Sequence, residues 1–355
     1  MQSKISLPAK RAMSAFRTFI SLLLIAAMAI ISTACSAKRL VPPIEGNAAS
    51  TVSGIKALIG IKEDAFLLSD TELFTPGNSA CDWTAFSFAL SGTVDDYSAY
   101  AKGLENYVTE CLKNNGSLGE ARATEYHRIA LTARALGYDP RAFGCMPDGS
   151  SADLIALGTY AYSGELGEQG LNGYIFALLA LDCDNYAVPN NARYTRERII
   201  DYILSSEEAE GGFGLEKGDF DVDITAMALQ ALAPYKDEMK VSEVIERAVS
   251  RLSSAMTASC AFVSSGSENL ESTAQVIIAL CSLGIDPETD ALFTRNGMNP
   301  VKAMELFRLP NGGFSHEFNS DGSVISCEQA LRAYIALYKF KNDLEGLYDL
   351  SEIPL

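Results

Sequence analysis

The chain has 355 residues, 48% of them hydrophobic, and a formal net charge of −17. This length is sufficient for one large hydrophobic core or two smaller ones. The acidic surplus argues against nucleic acid and anionic lipid headgroups as partners of the folded part, because both are recognised through Lys and Arg. We therefore expect neutral or cationic partners.

The first 34 residues have the order of a secretory signal. A basic leader without acidic residues precedes an apolar run over residues 19–31, and small residues lead to Cys35. The run is shorter than the ~20 residues of a membrane-spanning helix. Because lipoprotein signal peptidase cleaves before a Cys that follows small residues, we expect Cys35 to carry lipid and to hold the protein at the outer face of the bacterial cell membrane. Ordinary cleavage after an Ala-x-Ala-like site is the alternative.

Removal of the leader takes away four basic residues, so the rest of the chain has a net charge of −21. Residues 35–54 are interpreted as a flexible tether, because Pro42-Pro43 is followed by a Gly-Asn-Ala-Ala-Ser run. An additional helix is expected over residues 55–68, within a folded domain that extends over residues 55–345. Residues 346–355 are expected to form a short tail.

Seven cysteines follow Cys35. Export is compatible with one disulfide that involves Cys81, Cys145 or Cys260. The others, of which Cys183 and Cys327 lie in strongly apolar helical runs, are expected to be small buried side chains.

The chain contains internal repeats. Residues 136–140 (LGYDP) are repeated as residues 283–287 (LGIDP), each time after an apolar helical run. Gly supplies a left-handed turn and Pro prevents continuation, so both phrases predict the end of a helix. A second phrase, Gly-Gly-Phe, occurs at residues 211–213 and 312–314 and as Cys-Ala-Phe at residues 260–262.

Each copy of the second phrase precedes a helix that is apolar nearly all round. Together with three earlier segments of the same kind, this gives six helices without a polar face, which must be buried on all sides. They are residues 83–90, 125–136, 172–181, 224–232, 273–280 and 329–337.

One-sided helices alternate with the buried ones. Segments from Tyr97, over residues 199–204 and over residues 241–252 have apolar residues at three-four spacing, and Asn299 with Pro300 is predicted to begin another. We therefore predict an all-α fold, an α/α toroid in which six inner helices form a closed ring inside a layer of outer helices. A straight solenoid is the alternative.

Several segments carry a family resemblance: residues 168–173 (EQGLNG), 221–232 (DVDITAMALQAL), 271–280 (ESTAQVIIAL) and 328–331 (EQAL). They resemble repeats of the terpenoid cyclase and protein prenyltransferase superfamily (the prenyltransferase and squalene oxidase repeat). The chain is most similar to secreted bacterial repeat proteins and distantly similar to the cobalamin carriers of animals. The resemblance implies the α/α toroid, with either catalysis or ligand binding inside it.

The motifs of the superfamily enzymes are incomplete in this chain. Type II cyclases protonate a polyene with the middle acid of Asp-x-Asp-Asp; Asp223 matches that acid, but Ile224 occupies the last position. Prenyltransferases hold zinc with Asp, Cys and His, whereas the only histidines here are His127 and His316. We therefore expect neither a metal nor another cofactor, and Asp223 is the best catalytic candidate if any activity remains.

The acidic run over residues 219–223 lacks the Gly and Glu positions of an EF-hand loop. It is better explained as the start of a helix, where Asp caps free backbone amides.

Polar residues stand near the start of every inner helix. In a closed ring these starts meet at one opening, so we predict an acidic, amide-lined basin that binds a peptide, a sugar or a cofactor-like molecule. Helix capping alone explains part of this pattern. A glycan-active enzyme with paired carboxylates chosen from Glu125, Asp223 and Glu271 is a further alternative. The predicted ligand-binding residues are Asp82, Trp83, Glu125, Gln169, Asn172, Asp221, Asp223, Glu268, Asn269, Glu271 and Glu328.

Overall fold

The computed structural model describes residues 40–70, 72–119 and 122–355. These residues contain twelve α-helices, two short 3₁₀ helices and three short strands. The predicted signal segment and Cys35 lie outside them. None of the helices in the described ranges is both long and apolar enough to cross a membrane.

Six helices form a closed inner ring. Each packs against the next along the chain and the last packs against the first, so the ring closes and an open solenoid is ruled out. Their nearly uniform burial agrees with the all-round apolar pattern of their sequences. The inner helices are α2 (Ser79–Leu90), α4 (Ala123–Ala135), α6 (Asn172–Asp182), α8 (Val222–Leu232), α10 (Leu270–Leu283) and α12 (Val324–Lys341).

Six outer helices alternate with the inner ones along the chain and pack outside the ring. Four of them agree with the predicted one-sided segments, whereas the short α5 has no counterpart in the prediction. The outer helices are α1 (Asn47–Ile59), α3 (Tyr97–Asn115), α5 (Leu154–Gly158), α7 (Arg196–Ser205), α9 (Met239–Ala255) and α11 (Pro300–Glu305).

Helix α1 corrects the predicted tether. Residues 47–54 are helical, and the helix ends at Ile59 and does not extend to residue 68. Ala48, Val52 and Ile55 form a buried stripe against the ring. A Cβ on Gly54 would lie 2.2 Å from the Gly313 backbone nitrogen, so this glycine permits direct backbone contact. Small residues are typical of linkers, so the sequence predicts a tether here. In the structure their size instead permits close packing against the ring.

Both predicted helix ends are confirmed. Gly137 and Gly284 have φ angles of 83° and 80°. The next residue folds back in each case: the Tyr138 amide donates to the Ala133 carbonyl over 3.0 Å, and the Ile285 amide donates over 2.9 Å to the Leu280 carbonyl. These bonds satisfy carbonyls at the helix ends that would otherwise have no partner.

The phenylalanine of each Gly-Gly-Phe or Cys-Ala-Phe phrase connects its loop to the next inner helix by a hydrogen bond. Its side chain is fully buried, and its backbone amide donates to a side chain four residues after the helix cap. The fourth-residue position holds Thr in two repeats and Cys in the third. The pairs are Phe213 with Thr225 Oγ1 (2.9 Å), Phe262 with Thr273 Oγ1 (3.2 Å) and Phe314 with Cys327 Sγ (3.0 Å).

Three strands, which the sequence did not predict, lead into the ring. Strand β1 (Glu168–Leu171) precedes α6, and β2 (Phe262–Ser264) pairs antiparallel with β3 (Ser267–Asn269) before α10. Each is only three or four residues long. They hold polar residues at the entrance to the ring, where the amino ends of the inner helices lie.

The tail packs into the ring from the opposite end. Leu347, Leu350 and Ile353 are buried. The Leu350 amide donates to the Cys183 carbonyl over 2.8 Å, and Arg134 Nη2 donates over 2.7 Å to the carbonyl of Ile353. The tail is therefore part of the core.

The seven cysteines in the described ranges are all free thiols, so the disulfide considered for Cys81, Cys145 or Cys260 is not formed in this structure. Four of the seven are buried, as expected for small apolar side chains.

Candidate ligand site at the mouth of the ring

The first turns of the inner helices meet at one opening, which we call the mouth. Two adjoining cavities of about 180 and 250 Å³ lie there and share Ser79, Trp83 and Phe176. Their walls come from all six inner helices. The lining residues are Ser79, Ala80, Trp83, Thr124, Glu125, Arg128, Gln169, Asn172, Phe176, Met227, Gln275, Ile325, Glu328, Gln329 and Arg332.

Trp83 forms an aromatic floor between the two cavities. Its ring lies 5.4 Å from that of Phe86 in an edge arrangement and 6.1 Å from that of Phe176. The Arg332 guanidinium stands 4.7 Å from the Trp83 ring centroid, and Tyr348 of the tail is 6.5 Å away. Cation–π and edge contacts of this kind hold the indole in a fixed orientation.

Asp82 does not line the mouth, although the sequence placed it there. Its side chain is fully buried and accepts hydrogen bonds from Arg128 Nε (3.0 Å), Tyr100 Oη (2.7 Å) and the Gly77 amide (3.0 Å). Burial raises the pKa of Asp82, and the arginine opposes that shift. Its role is to connect α2, α3 and α4.

Two arginines make the mouth less acidic than its carboxylates suggest. Arg128 donates to both oxygens of Glu125 over 2.8 and 2.7 Å. Glu328 and Arg332 form a buried pair with a 2.9 Å contact. Burial raises the pKa of Glu328 and Arg332 opposes this. The sequence contained the signal, since the arginines follow their acids at three- and four-residue spacing, where helix side chains meet.

The amides on one side of the mouth include an acceptor without a partner. Thr124 Oγ1 donates to Gln169 Oε1 over 2.7 Å. The Asn172 Oδ1 atom is buried and has no hydrogen-bond partner among the residues that the structure describes. A buried acceptor left unpaired costs about 1–3 kcal/mol, so a donor from a ligand is favoured at this position.

Asp223, the predicted catalytic candidate on α8, lies one turn before Met227 but lines neither cavity of the mouth. One of its carboxylate oxygens, Oδ1, is buried without a hydrogen-bond partner among the described residues. Burial, followed by the neighbouring carboxylates Asp221 and Glu271, raises the pKa of Asp223 to about 6, and side-chain hydrogen bonds with Ser272 and Ser264 oppose that shift. Asp221 itself caps α8, accepting from the Ile224 amide over 2.8 Å, as the sequence predicted.

Glu271 belongs to a small polar network on α10. It accepts from Ser326 Oγ over 2.5 Å and contacts His316 Nδ1 at 2.6 Å. His316 is about half exposed, as expected, but its link to Glu271 was not foreseen. The contact joins residues 45 positions apart, and no local pattern indicates it.

Two other predicted site residues have structural partners. Asn269 caps α10 by accepting from the Ser272 amide over 2.8 Å, and it is almost fully buried. Glu268 accepts from Ser259 Oγ over 2.9 Å and stabilises the β2–β3 hairpin. Neither lines the cavities of the mouth.

The enzyme-like residues considered in the sequence are also structural. His127 is fully buried and its Nε2 lies 2.6 Å from the Gly158 carbonyl; burial lowers its pKa to about 4. Cys327 accepts the Phe314 amide where other repeats use Thr. In the part of the chain that the structure describes, no group of three or more His, Cys, Asp or Glu is arranged to hold a metal ion.

The mouth is therefore a small polar recess. Its floor is a fixed indole, its charges are partly neutralised by arginines, and the Asn172 acceptor in its wall has no hydrogen-bond partner among the described residues. These features are chemically complementary to a molecule with a flat apolar face and hydroxyl or N–H groups.

Solved structures of proteins with several different activities share this fold. The type II terpene cyclase MstE from Scytonema aligns with a TM-score of 0.54 at 12% identity, over 83% of this chain and 99% of that chain. The Candida albicans protein geranylgeranyltransferase-I, complexed with GGPP, aligns at 0.52 with 10% identity over 88% and 97%. The unsaturated glucuronyl hydrolase of Bacillus sp. GL1 aligns at 0.50 with 12% identity over 86% and 98%. These similarities show the α/α-toroid fold. No protein-family model and no curated protein matches the sequence.

Proposed function

We propose that this chain is a ligand-binding toroid that does not catalyse a reaction and that holds a small, donor-rich molecule in its mouth. The proposal depends on one observation: the buried acceptor Asn172 Oδ1 lines the mouth and has no hydrogen-bond partner among the described residues. A ligand that donates to it would remove the free-energy cost of leaving it unpaired. The indole of Trp83 lines the same cavity and supplies an apolar face for the ligand.

The volume of the mouth supports a ligand of modest size. The adjoining cavities of about 180 and 250 Å³ together lie near the lower end of the ~300–1,000 Å³ range that is typical of small-molecule sites. A single sugar unit or a dipeptide suits this space better than a long polyprenyl chain does. The overall negative charge favours neutral or cationic members of these classes.

A thermal-shift screen of the full-length protein against monosaccharides, N-acetylated sugars and dipeptides tests the proposal. A ligand at a hundredfold excess over its Kd adds about 2.7 kcal/mol of stability, so a rise in Tm of several degrees is expected. Ile325→Trp should abolish that rise, because Ile325 is half exposed and lines the mouth, so a larger side chain there fills the recess.

Gly346→Trp is the matched control, since Gly346 lies at the other end of the ring. It should keep the ligand-induced rise. A ligand whose effect survives Ile325→Trp would place binding elsewhere and contradict the proposal, as would the absence of any stabilising compound from the three classes.

Asp223 supports a second candidate function, an enzyme that uses a carboxylic acid. A pKa of about 6 suits a general acid at neutral pH, and Glu271 on the next inner helix, whose charge also raises the pKa of Asp223, is a candidate for a partner carboxylate. Cyclase-like, prenyltransferase-like and glycan-cleaving activities all belong to this candidate. Asp223→Asn separates the two functions: loss of a turnover activity in a folded protein favours the enzyme, and loss of affinity alone favours the binder.

We further propose that the chain belongs to the repeat family that its EQGL and DVDITA segments resemble, and that Cys35 anchors it to the outer face of the cell membrane. The order of basic, apolar and small residues before Cys35 supports the anchor. Expression with labelled palmitate should label the wild-type chain. A Cys35→Ala variant that retains the label would contradict the assignment.

A further inference from the structure

A second cavity lies at the opposite end of the ring from the mouth. It is a groove of about 570 Å³ between the carboxyl ends of the inner helices and the tail, and it adjoins a further cavity of about 430 Å³. The groove is lined by Asp182, Gln230, Tyr235, Lys236, Gly346 and Tyr348, among others. Its volume lies within the ~300–1,000 Å³ range of small-molecule sites.

Gln230 lines this groove and carries an acceptor without a hydrogen-bond partner among the described residues. Only 4% of the residue is exposed. Its Nε2 donates to the carbonyl and to Oε1 of Gln275, over 3.1 and 2.9 Å, and Gln275 Nε2 donates onward to Gln329 Oε1 over 2.9 Å. This chain of amides fixes the orientation of the Gln230 side chain. Its Oε1 is left buried, with no hydrogen-bond partner among the described residues.

The basic side chains around the groove already donate hydrogen bonds within the protein. Arg196 donates to Asp182 and to the Leu181 carbonyl, both over 2.7 Å. Lys236 Nζ donates to the carbonyl of Leu283 over 3.2 Å. Apart from Lys236, which is exposed and keeps its positive charge, the groove offers mainly acceptors to a ligand, and the carboxyl ends of three inner helices, α6, α8 and α10, add their partial negative charge.

The rim of the groove adds further negative charge. Glu345 and Asp349 of the tail line it, and Glu345 is exposed. Acceptors, helix carboxyl ends and carboxylates together complement a positively charged donor.

We propose that the groove is a second ligand site, for a small organic ammonium ion such as a linear polyamine. An ammonium group donates to Gln230 Oε1 and is stabilised by the helix carboxyl ends, while its methylene chain lies along Leu347 and Tyr348. The proposal does not rest on the proposed function of the mouth, because none of the described residues lines both the groove and the mouth.

Isothermal titration of the full-length protein with spermidine at 150 mM NaCl tests this. One spermidine per chain is expected. Gly346→Trp should weaken binding at least tenfold, because an added side chain would occupy the groove. This variant should fold, since a Cβ on Gly346 meets no atom within 4 Å and its φ is not positive. Circular dichroism and Tm establish that it does.

Ile325→Trp, which fills the mouth, is the control and should leave spermidine affinity unchanged. Gln230→Met should weaken binding as well, because it removes the acceptor and keeps the length of the side chain. Equal affinity in wild-type protein and the folded Gly346→Trp variant would overturn the proposal. Equally tight binding of 1,8-octanediol, which has a similar length and no charge, would overturn the assignment to ammonium ions.

Discussion

Arg128 on α4 is joined to α2 through Asp82 and also pairs with Glu125 on its own helix. It contacts the fully buried Asp82 at 3.0 Å and the partly exposed Glu125 at 2.7 Å. A buried pair of this kind contributes little net stability relative to an apolar core, but loss of one partner leaves an uncompensated charge. The residues that the sequence suggests for ligand binding thus divide into those that stabilise the ring and those that face the mouth.

Asp82→Ala should therefore be strongly destabilising. Its loss leaves Arg128 Nε, Tyr100 Oη and the Gly77 amide without their shared buried acceptor, at a total cost of about 3–5 kcal/mol. Urea unfolding followed by circular dichroism measures this change. Asp201→Ala is the control: Asp201 pairs with Lys240 at the surface, where both side chains are more than half exposed, so a change below about 1 kcal/mol is expected. Similar losses in the two variants would contradict the structural role of Asp82.

Asp223 should make stability depend on pH. Its folded pKa of about 6 lies above the ordinary value of 3.8, so the folded state binds more protons than the unfolded state between these values. The free energy of unfolding, relative to that of Asp223→Asn, should therefore fall as pH rises from 4 to 7, by roughly 2–3 kcal/mol. Denaturation of both proteins across this range measures the difference. A difference that is flat or that rises with pH would show that burial does not dominate at Asp223.

At the scale of elements, the outer helices and the tail give the ring its second layer and its closed end. Helix α1 packs on α12, and the tail inserts Leu347 and Leu350 among the carboxyl ends of the inner helices. Neither segment has a sequence pattern that predicts its burial, because α1 is rich in small and polar residues and the tail has no hydrophobic periodicity. Their burial depends on partners far away in the sequence.

Leu350→Ala tests the contribution of the tail. Leu350 is 1% exposed, and truncation of a buried Leu costs about 2–5 kcal/mol. Leu355→Ala provides a matched control in the same segment, because Leu355 is 68% exposed and should change stability by less than about 0.5 kcal/mol. Thermal unfolding distinguishes them. A negligible effect of Leu350→Ala would show that the tail is not part of the core.

At the scale of the molecule, closure of the ring makes every hairpin depend on two neighbours. Helix α12 contacts both α10 and α2, so its removal would expose apolar faces at both ends of the remaining array. An open repeat array, in contrast, loses only one interface when its last repeat is removed.

A chain that ends at residue 298 should therefore fail to fold cooperatively. It lacks α11, α12 and the tail, and the buried faces of α2 and α10 become exposed together. Circular dichroism and urea unfolding, compared with the full-length protein, measure the outcome. A cooperative transition with native-like helicity in the shortened chain would indicate that the hairpins behave as independent repeats.

The sequence by itself determined the six inner helices and the ends of α4 and α10, and it favoured a closed ring over an open solenoid. These features arise from local spacing: an all-round apolar segment must be buried, and Gly followed by Pro ends a helix wherever it occurs. It also predicted that the helix starts meet at one mouth. One outer segment separates each inner helix from the next, so all the inner helices run in the same direction.

Only the tertiary structure decided which polar residues line the mouth and the groove and which are buried as structural contacts. Asp82 is engaged by an arginine 46 positions away, Glu271 meets His316 and Ser326 from other segments, and Gln230 is oriented by a chain of amides across three helices. Such partners are set by the packing of distant helices, and a hydrogen bond between them leaves no period in the sequence. The burial of α1 and of the tail was decided in the same way, because the surfaces that cover them exist only once the ring has closed.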